Sequence, residues 1–155
     1  MHYILKHTTR IFGTVILSFI MVFSGSLANA ELSVEDIIKS RKALLSKNYS
    51  TAKRVQAFSS NGDFDKAIEL MEEMSENYIT LLDLFPENSK EGFDTEALPI
   101  IWEEKDAFNA LMQKSADNMV KLTSIIEDAD DIRGTLGKLM WANCKACHSK
   151  YRKPH

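Results

Sequence analysis

Cysteine, proline and glycine are scarce in this chain of 155 residues, which contains two, three and six of them. The cysteines, Cys144 and Cys147, are separated by two residues, and a disulfide across so short a loop would stabilise the fold little. A single domain of this length can bury a hydrophobic core without such staples. The two cysteines therefore need a reason other than stability.

The chain also lacks an apolar run long enough to cross a bilayer. Its longest apolar block spans the 13 residues 11–23, whereas a membrane-spanning helix needs ~20. Lys6 and Arg10 precede the block, and Ala28-Asn29-Ala30 follows it. This order is typical of a secretory signal peptide. We expect residues 1–30 to be removed after Ala30, leaving residues 31–155 as one exported domain, in preference to a retained anchor.

An excess of positive charge is missing as well. Loss of Lys6 and Arg10 leaves 17 of the 19 basic residues against all 22 acidic ones, a net charge of −5 for the mature chain. Nucleic-acid-binding proteins carry basic patches, and anionic membrane surfaces also attract basic segments. The composition therefore argues against nucleic acid as a partner and against membrane association after signal cleavage.

No alternating strand pattern is visible, and apolar residues recur instead at helical spacing. Four segments show this spacing, and residues 86–96 form the one longer connection. Ser33 caps the first segment, which ends at Asn61-Gly62; Asp63 caps the second, which Pro86 stops; the third runs from Leu98 to Glu127, with Pro99 in its first turn, and the fourth from Asp130 to Arg152. We therefore predict an all-α fold, an antiparallel four-helix bundle.

The motif Cys144-Lys145-Ala146-Cys147-His148 lies near the end of the last helix. C-x-x-C-H is a c-type haem attachment signature. Residues at i, i+3 and i+4 share one face of a helix. Both thiols can therefore add to the two vinyl groups on one edge of a porphyrin, while His148 reaches the iron. The motif predicts one covalent haem c with His148 as the iron ligand.

Two other readings of the motif compete with haem. A C-x-x-C redox dithiol usually lies at the start of a helix in a strand-helix fold. A structural zinc site needs four ligands, and these could be counted as Cys144, Cys147, His148 and the terminal His155. Haem attachment is favoured over both, because the motif ends a helix of an all-helical chain and His155 lies at the terminus.

Three separate segments resemble class II cytochromes c of the cytochrome c-prime type, and the resemblance covers essentially the whole mature chain. They are Cys144-Lys145-Ala146-Cys147-His148-Ser149-Lys150-Tyr151-Arg152-Lys153, Glu35-Asp36-Ile37-Ile38-Lys39-Ser40-Arg41 and Leu98-Pro99-Ile100-Ile101-Trp102. The resemblance implies a periplasmic haem protein whose haem is attached near the C-terminus of the last helix. It also implies a homodimer that pairs through the first two helices.

The resemblance further implies the surroundings of the iron. Alignment on Arg41 places Leu45 over the sixth iron position, and because Leu cannot ligate, the iron would be five-coordinate. Arg41 would lie near the haem edge and pair with a propionate, unless it is a solvated surface residue. Arg152 would lean over the imidazole of His148, or complement the negative end of the helix. Methionines that could instead supply a sixth ligand are Met71, Met74, Met112, Met119 and Met140.

Two functions are compatible with this arrangement. A five-coordinate apolar pocket admits nitric oxide or carbon monoxide, and a reversible Fe(III)/Fe(II) couple supports electron transfer to a redox partner. The alternative is a six-coordinate low-spin cytochrome with a Met ligand that acts purely as an electron carrier. A haem enzyme such as a peroxidase needs a distal acid–base residue. The sequence offers none, so we do not expect an enzyme.

The signal peptide is directly testable. Because the apolar block is too short to stay in the membrane as an anchor, the periplasmic fraction should contain a chain that begins at Glu31. Its intact mass should equal that of residues 31–155 plus one haem. Recovery of a longer chain in the membrane fraction would contradict the predicted cleavage.

Overall fold

The structure, a computed structural model, describes residues 32–154. The predicted signal peptide, the cleavage site and His155 lie outside the described residues. The elements in chain order are α1 Val34–Ser60, α2 Phe64–Leu82, a 3-10 turn Glu87–Ser89, α3 Ile100–Glu103, α4 Lys105–Ile125, α5 Ile132–Leu136, a π-helical segment Gly137–Trp141 and α6 Ala142–Tyr151.

Amphipathic helices supply most of the described core. α1 packs on α2, α2 packs on α4, and α4 packs on α6 and on the π-helical segment. Side chains buried together between them include Ala52, Val55, Met71, Met74, Leu81, Met119 and Leu122. Within residues 32–154 there is no strand, only one isolated bridge between Ala97 and Arg152. The predicted all-α four-helix bundle is confirmed.

The ends of α1 follow the predicted capping chemistry. The Ser33 hydroxyl accepts a hydrogen bond from the Asp36 amide at 3.1 Å, which satisfies one of the free donors at the helix start. Gly62 takes a left-handed conformation with φ +79° just after the helix. Asp63 precedes α2 as predicted, but its side chain makes no cap hydrogen bond there and instead lies 3.6 Å from Lys66.

The third predicted segment differs from the observed helix. It begins at Ile100 rather than Leu98, ends at Ile125, and is interrupted at Glu104, whose φ of −116° and ψ of 42° are not helical. The interrupted turn lets the Glu104 carboxylate accept hydrogen bonds from Lys150 and from the Tyr151 hydroxyl. A long-range contact of this kind is invisible to helical periodicity, so the break was not predicted.

The fourth predicted segment is one helical run over residues 132–151, here called the last helix. It is made of α5, the π-helical segment and α6 in direct succession. The predicted limits of Asp130 and Arg152 are therefore close to the observed ones. The π-helical segment at Gly137–Trp141 was not predicted, because hydrophobic spacing does not distinguish one extra residue in a turn.

Arg41 pins the connection between α2 and α3 to α1. Its side chain is only 2% exposed, so the solvated alternative for this residue is wrong. The guanidinium donates to Leu84 O at 3.3 Å, Ser89 Oγ and O at 2.9 Å, and Thr95 Oγ1 at 2.6 Å. It also lies 4.8 Å from the ring centre of Phe85. Burial lowers its pKa to about 10, so Arg41 is still a cation at neutral pH.

Replacing Arg41 with Met should destabilise the fold. The substitution removes four hydrogen bonds and leaves buried acceptors unsatisfied, so we expect a loss of about 2–4 kcal/mol in the free energy of unfolding, measured by urea denaturation. The neighbouring Lys42→Met is the matched control, since Lys42 is exposed and makes one hydrogen bond, to Asp94 O at 3.1 Å. Its effect should stay within about 0.5 kcal/mol. Equal effects would contradict the structural role of Arg41.

Candidate haem-binding site

A cavity of about 490 Å³ opens between α1, the connection before α3, the helices α3 and α4, and the last helix. Its volume falls within the range of small-molecule and cofactor sites, roughly 300–1,000 Å³. Its lining combines apolar, aromatic and basic side chains from these parts of the chain. Those that bear on the site are Arg41, Leu45, Tyr49, Phe85, Phe108, Met112, Cys147, His148, Tyr151 and Arg152.

The α1 wall of the cavity presents Leu45. Leu44 and Leu45 are both half-buried against the hydrophobic core, but of the two it is Leu45 that lines the cavity, together with Arg41. Asn48, one turn further along the helix, is buried and accepts a hydrogen bond from Asn77 Nδ2 at 2.8 Å. Of the two adjacent leucines, the described structure thus puts Leu45 on the cavity side.

The opposite wall comes from the last helix. Cys147, His148, Tyr151 and Arg152 all line the cavity. The His148 side chain is exposed, and Cys147 is half-buried against the core. Cys144 lies one turn earlier, half-buried, with its Sγ 3.9 Å from Tyr78 Oη on α2. The geometry therefore brings Cys147 and His148 to the cavity opposite Leu45, with Cys144 one turn before them on the same helix.

Both thiols are held in their protonated form. Burial raises the pKa of Cys144, and the hydrogen bond with Tyr78 opposes this only in part. Burial, followed by the influence of Cys144, raises the pKa of Cys147 to about 11, although the charge of Arg152 lowers it somewhat. Catalytic redox dithiols depend on a depressed thiol pKa. The environment is therefore opposite to the one that the redox-dithiol alternative requires.

The zinc alternative also finds no support in the described part of the chain. Among residues 32–154, no group of three or more His, Cys, Asp or Glu side chains is arranged to hold a metal ion. The fourth ligand counted from the sequence, His155, lies outside those residues. One imidazole and two thiols in successive positions of a single helix suit a flat cofactor attached along one edge better than a tetrahedral ion.

Aromatic rings line the deep side of the cavity. The Phe85 and Phe108 ring centres are 4.7 Å apart, and those of Phe108 and Tyr151 are 5.2 Å apart, each pair edge to face. Sequence reasoning did not assign these residues to the site. Tyr49 was also missed, although its position four residues after Leu45 could have revealed it. No comparable signal exists for Phe85, which reaches the cavity from an irregular connection.

Met112 is the methionine of interest among the five considered as ligands. It lines the cavity, and it is 2% exposed. Met71, Met74, Met119 and Met140 are buried in the hydrophobic core and do not line this cavity. If a methionine supplies a sixth iron ligand, the five candidates are thereby reduced to Met112.

The end of the last helix is tied to the chain ahead of α3. The Leu98 amide donates to Tyr151 O at 3.0 Å, and the Lys153 amide donates to Glu96 O at 2.8 Å. Between them, Arg152 lines the cavity. Its Nε is buried and has no hydrogen-bond acceptor within residues 32–154. A buried donor without a partner at the wall of a cofactor-sized cavity fits a cofactor that carries carboxylates, as haem does.

Comparison with known proteins agrees with a haem-binding site. The family model described as Cytochrome C' matches residues 36–152. The chain belongs to the cytochrome c′ family. The cytochrome c′ of Rhodopseudomonas palustris is 33% identical over 120 residues, which are 76% of this chain and 82% of that protein. The resemblance drawn from the sequence motifs is confirmed.

Solved structures agree in fold. The structure of the R. palustris cytochrome c′ matches with a TM-score of 0.69 at 32% identity, covering 77% of this chain and 97% of that one. A nitric oxide complex of a mutant cytochrome c′ from Alcaligenes xylosoxidans matches with a TM-score of 0.68 at 26% identity, covering 80% of this chain and 99% of that one. Proteins of the cytochrome c′ family carry covalently bound haem c, and the cofactor of this chain is accordingly haem c with its iron.

Proposed function

We propose that Cys144 and Cys147 form the two thioether bonds to haem and that His148 is the protein ligand of the iron. The observation that carries the proposal is the placement of Cys147 and His148 on the wall of a cofactor-sized cavity that faces Leu45. Haem would supply an iron with a reversible Fe(III)/Fe(II) couple and a coordination position for a small ligand. The helix supplies three bonding atoms on one face.

The second part of the proposal is five-coordinate iron beneath Leu45. An aliphatic side chain cannot bind iron and cannot donate a hydrogen bond to a polar ligand. It excludes water from the sixth position by its size, and it yields to a small neutral molecule at a steric cost. The pocket thus suits nitric oxide and carbon monoxide, and a mutant of the cytochrome c′ of A. xylosoxidans has been solved in a nitric oxide complex.

Electron transfer is the second function that the site supports. His148 is exposed although it lines the cavity, so the proposed iron ligand lies close to the protein surface. We therefore propose a ligand-binding haem protein that also exchanges electrons with a redox partner, and not an enzyme. If the iron is instead six-coordinate, Met112 is the methionine to supply the ligand, because it is the one of the five that reaches the cavity.

The two arginines take different roles in this proposal. The terminal nitrogens of Arg41 already make four hydrogen bonds to the chain. Arg41 therefore acts toward haem chiefly by holding the wall of residues 84–95, and through its positive charge at the haem edge. Arg152 has a free buried donor at Nε. Arg152 lies four residues after His148. Its side chain can therefore donate a hydrogen bond to a carboxylate of haem or lean over the imidazole of His148.

We place the mature protein in the periplasm as a homodimer. Within residues 32–154, no helix is both long and apolar enough to cross a membrane. Dimerisation through α1 and α2 is supported by the large apolar side chain of Ile79 on α2, which is 43% exposed.

Covalent attachment should survive extraction. Because thioether bonds are not broken by acid, acid–acetone treatment should leave the haem on the protein. Replacing both Cys144 and Cys147 with Ala should abolish attachment, as judged by intact mass and in-gel haem staining. Haem that is extracted from the wild-type protein would overturn the proposal.

Leu45→Ala should raise carbon monoxide affinity of the ferrous protein by roughly one to two decades. Fully burying a leucine side chain is worth ~1.5–3 kcal/mol, which sets the upper scale for displacing the half-buried Leu45, and ~1.4 kcal/mol is tenfold in an equilibrium constant. Leu44→Ala is the matched control, because Leu44 is half-buried against the core like Leu45 but does not line the cavity. Its affinity should stay near that of wild type.

The wild-type spectrum tests the same idea independently. Five-coordinate iron should give a high-spin or spin-admixed ferric spectrum, and Met112→Leu should leave it unchanged. A low-spin wild-type spectrum that becomes high-spin in Met112→Leu would establish the six-coordinate alternative instead.

If the protein is a homodimer, a charged side chain placed in its interface should convert it to a monomer. Ile79→Lys places a charge on the proposed α2 surface, so light scattering should report half the mass of wild type. Val120→Lys on α4 is the control, because Val120 is 58% exposed but lies outside the first two helices. A wild-type protein that is monomeric over a wide concentration range would contradict the proposal.

A further inference from the structure

The last helix contains a π-helical segment directly before the haem motif. The segment covers Gly137–Trp141, and Cys144 follows three residues later. A π-turn holds one residue more than an α-turn, is intrinsically unfavourable, and is found mostly at functional sites. The proposed function does not explain why the helix contains this unfavourable segment or which interactions stabilise it.

The reason lies in the direction of the side chains that follow. An α-helix turns by about 100° per residue, so in an uninterrupted helix Cys144 and His148 would lie about 120° and 160° around the axis from Ile132. One extra residue turns both of them back by about 100°. The motif is thereby brought toward the face that Ile132 and Leu136 turn to the bundle.

The π-helical segment is stabilised by two side-chain amides that donate hydrogen bonds to the same backbone carbonyl. Leu139, inside the π-helical segment, has its carbonyl oxygen 3.0 Å from Asn118 Nδ2 and 3.3 Å from Asn143 Nδ2. Asn143 is buried and belongs to the last helix itself. Asn118 is half-buried and reaches across from α4, so it connects the segment to a different element of the bundle.

We propose that Asn118 is a positioning residue for haem: its hydrogen bond to the Leu139 carbonyl holds the π-turn, and the π-turn aims Cys147 and His148 at the cavity, with Cys144 one turn before them. The inference rests on the proposed function for the identity of the cofactor. The hydrogen bond and the extra residue themselves are independent of it. Asn118 does not line the cavity, so its proposed effect on haem is exerted through the backbone of the last helix.

The first test is Asn118→Leu in the holoprotein. Leu keeps the approximate size of Asn but cannot donate, so the Leu139 carbonyl loses one partner. Amide hydrogen exchange across residues 139–143 should accelerate by about tenfold, which corresponds to about 1.4 kcal/mol in the local opening equilibrium. The iron–histidine stretching frequency should shift, and the fraction of chains that carry covalent haem should fall.

The control makes the same substitution on the same helix. Asn109 on α4 is half-buried, and its Oδ1 has no hydrogen-bond donor among the described residues. Asn109→Leu should leave the exchange rates, the iron–histidine frequency and the haem content at wild-type values. If Asn118→Leu matches Asn109→Leu in all three measurements, the proposal is wrong.

A second variant keeps the test decisive if Asn118→Leu fails to fold. Lys138 is an exposed residue of the π-helical segment, and deleting it removes the extra residue without changing the direction of either flank. The deletion should preserve haem attachment and make it independent of residue 118, so that adding Asn118→Leu has no further effect on haem content. Loss of attachment in the deletion alone would overturn the proposal. Absence of covalent haem in wild type would instead defeat the proposed function and leave the exchange test intact.

Discussion

Everything at this site depends on the rotation of one helix about its own axis. Cys144, Cys147 and His148 are useful together only because they share a face, and that face must point at the cavity while the same helix buries Leu136, Met140 and Tyr151 in the bundle. A regular helix cannot easily satisfy both demands, because its side chains follow one fixed period. The π-helical segment at Gly137–Trp141 adds one residue to a turn. This changes the direction of the haem motif relative to the part of the helix that packs in the bundle. The end of the helix is then fixed by the backbone hydrogen bonds of residues 151–153 to residues 96–98.

The wall that faces the last helix is held by a different principle. Residues 84–95 are largely irregular, and an irregular segment beside a cavity has few backbone partners of its own. Arg41 provides them, since one buried guanidinium satisfies acceptors on Leu84, Ser89 and Thr95. A buried cation is unfavourable by itself, and stacking on Phe85 together with the four hydrogen bonds offsets that penalty. The same arrangement leaves a positive charge at the cavity, which favours a cofactor with carboxylate groups.

Sequence patterns predict the parts of this molecule that depend on local periodicity. The Ser33 cap, the Gly62 stop, the four helices and the spacing of the haem motif are all read within a few residues of chain, and the structure confirms the helices. What could not be predicted depends on contacts between distant residues. The break at Glu104 is coupled to Lys150 and Tyr151, the burial of Arg41 needs a connection more than 40 residues away, and the π-turn is bonded to Asn118. The five methionines considered as iron ligands cannot be told apart by helical spacing either, because their surroundings depend on distant residues. Among those five, Met112 alone lines the cavity.

That distinction bears on how the iron would be coordinated. Met112 and Leu45 both line the cavity, but they are held differently. Met112 is 2% exposed and packed in the core, so drawing its sulfur toward iron would remove a side chain worth ~1.5–3 kcal/mol of burial. Leu45 is half-buried on α1 and packs at the margin of the core, so displacing it disturbs less of the core. Under the proposed function, the lower-energy response to an incoming ligand is therefore to move Leu45, which leaves the sixth position to small molecules from outside rather than to a residue of the chain.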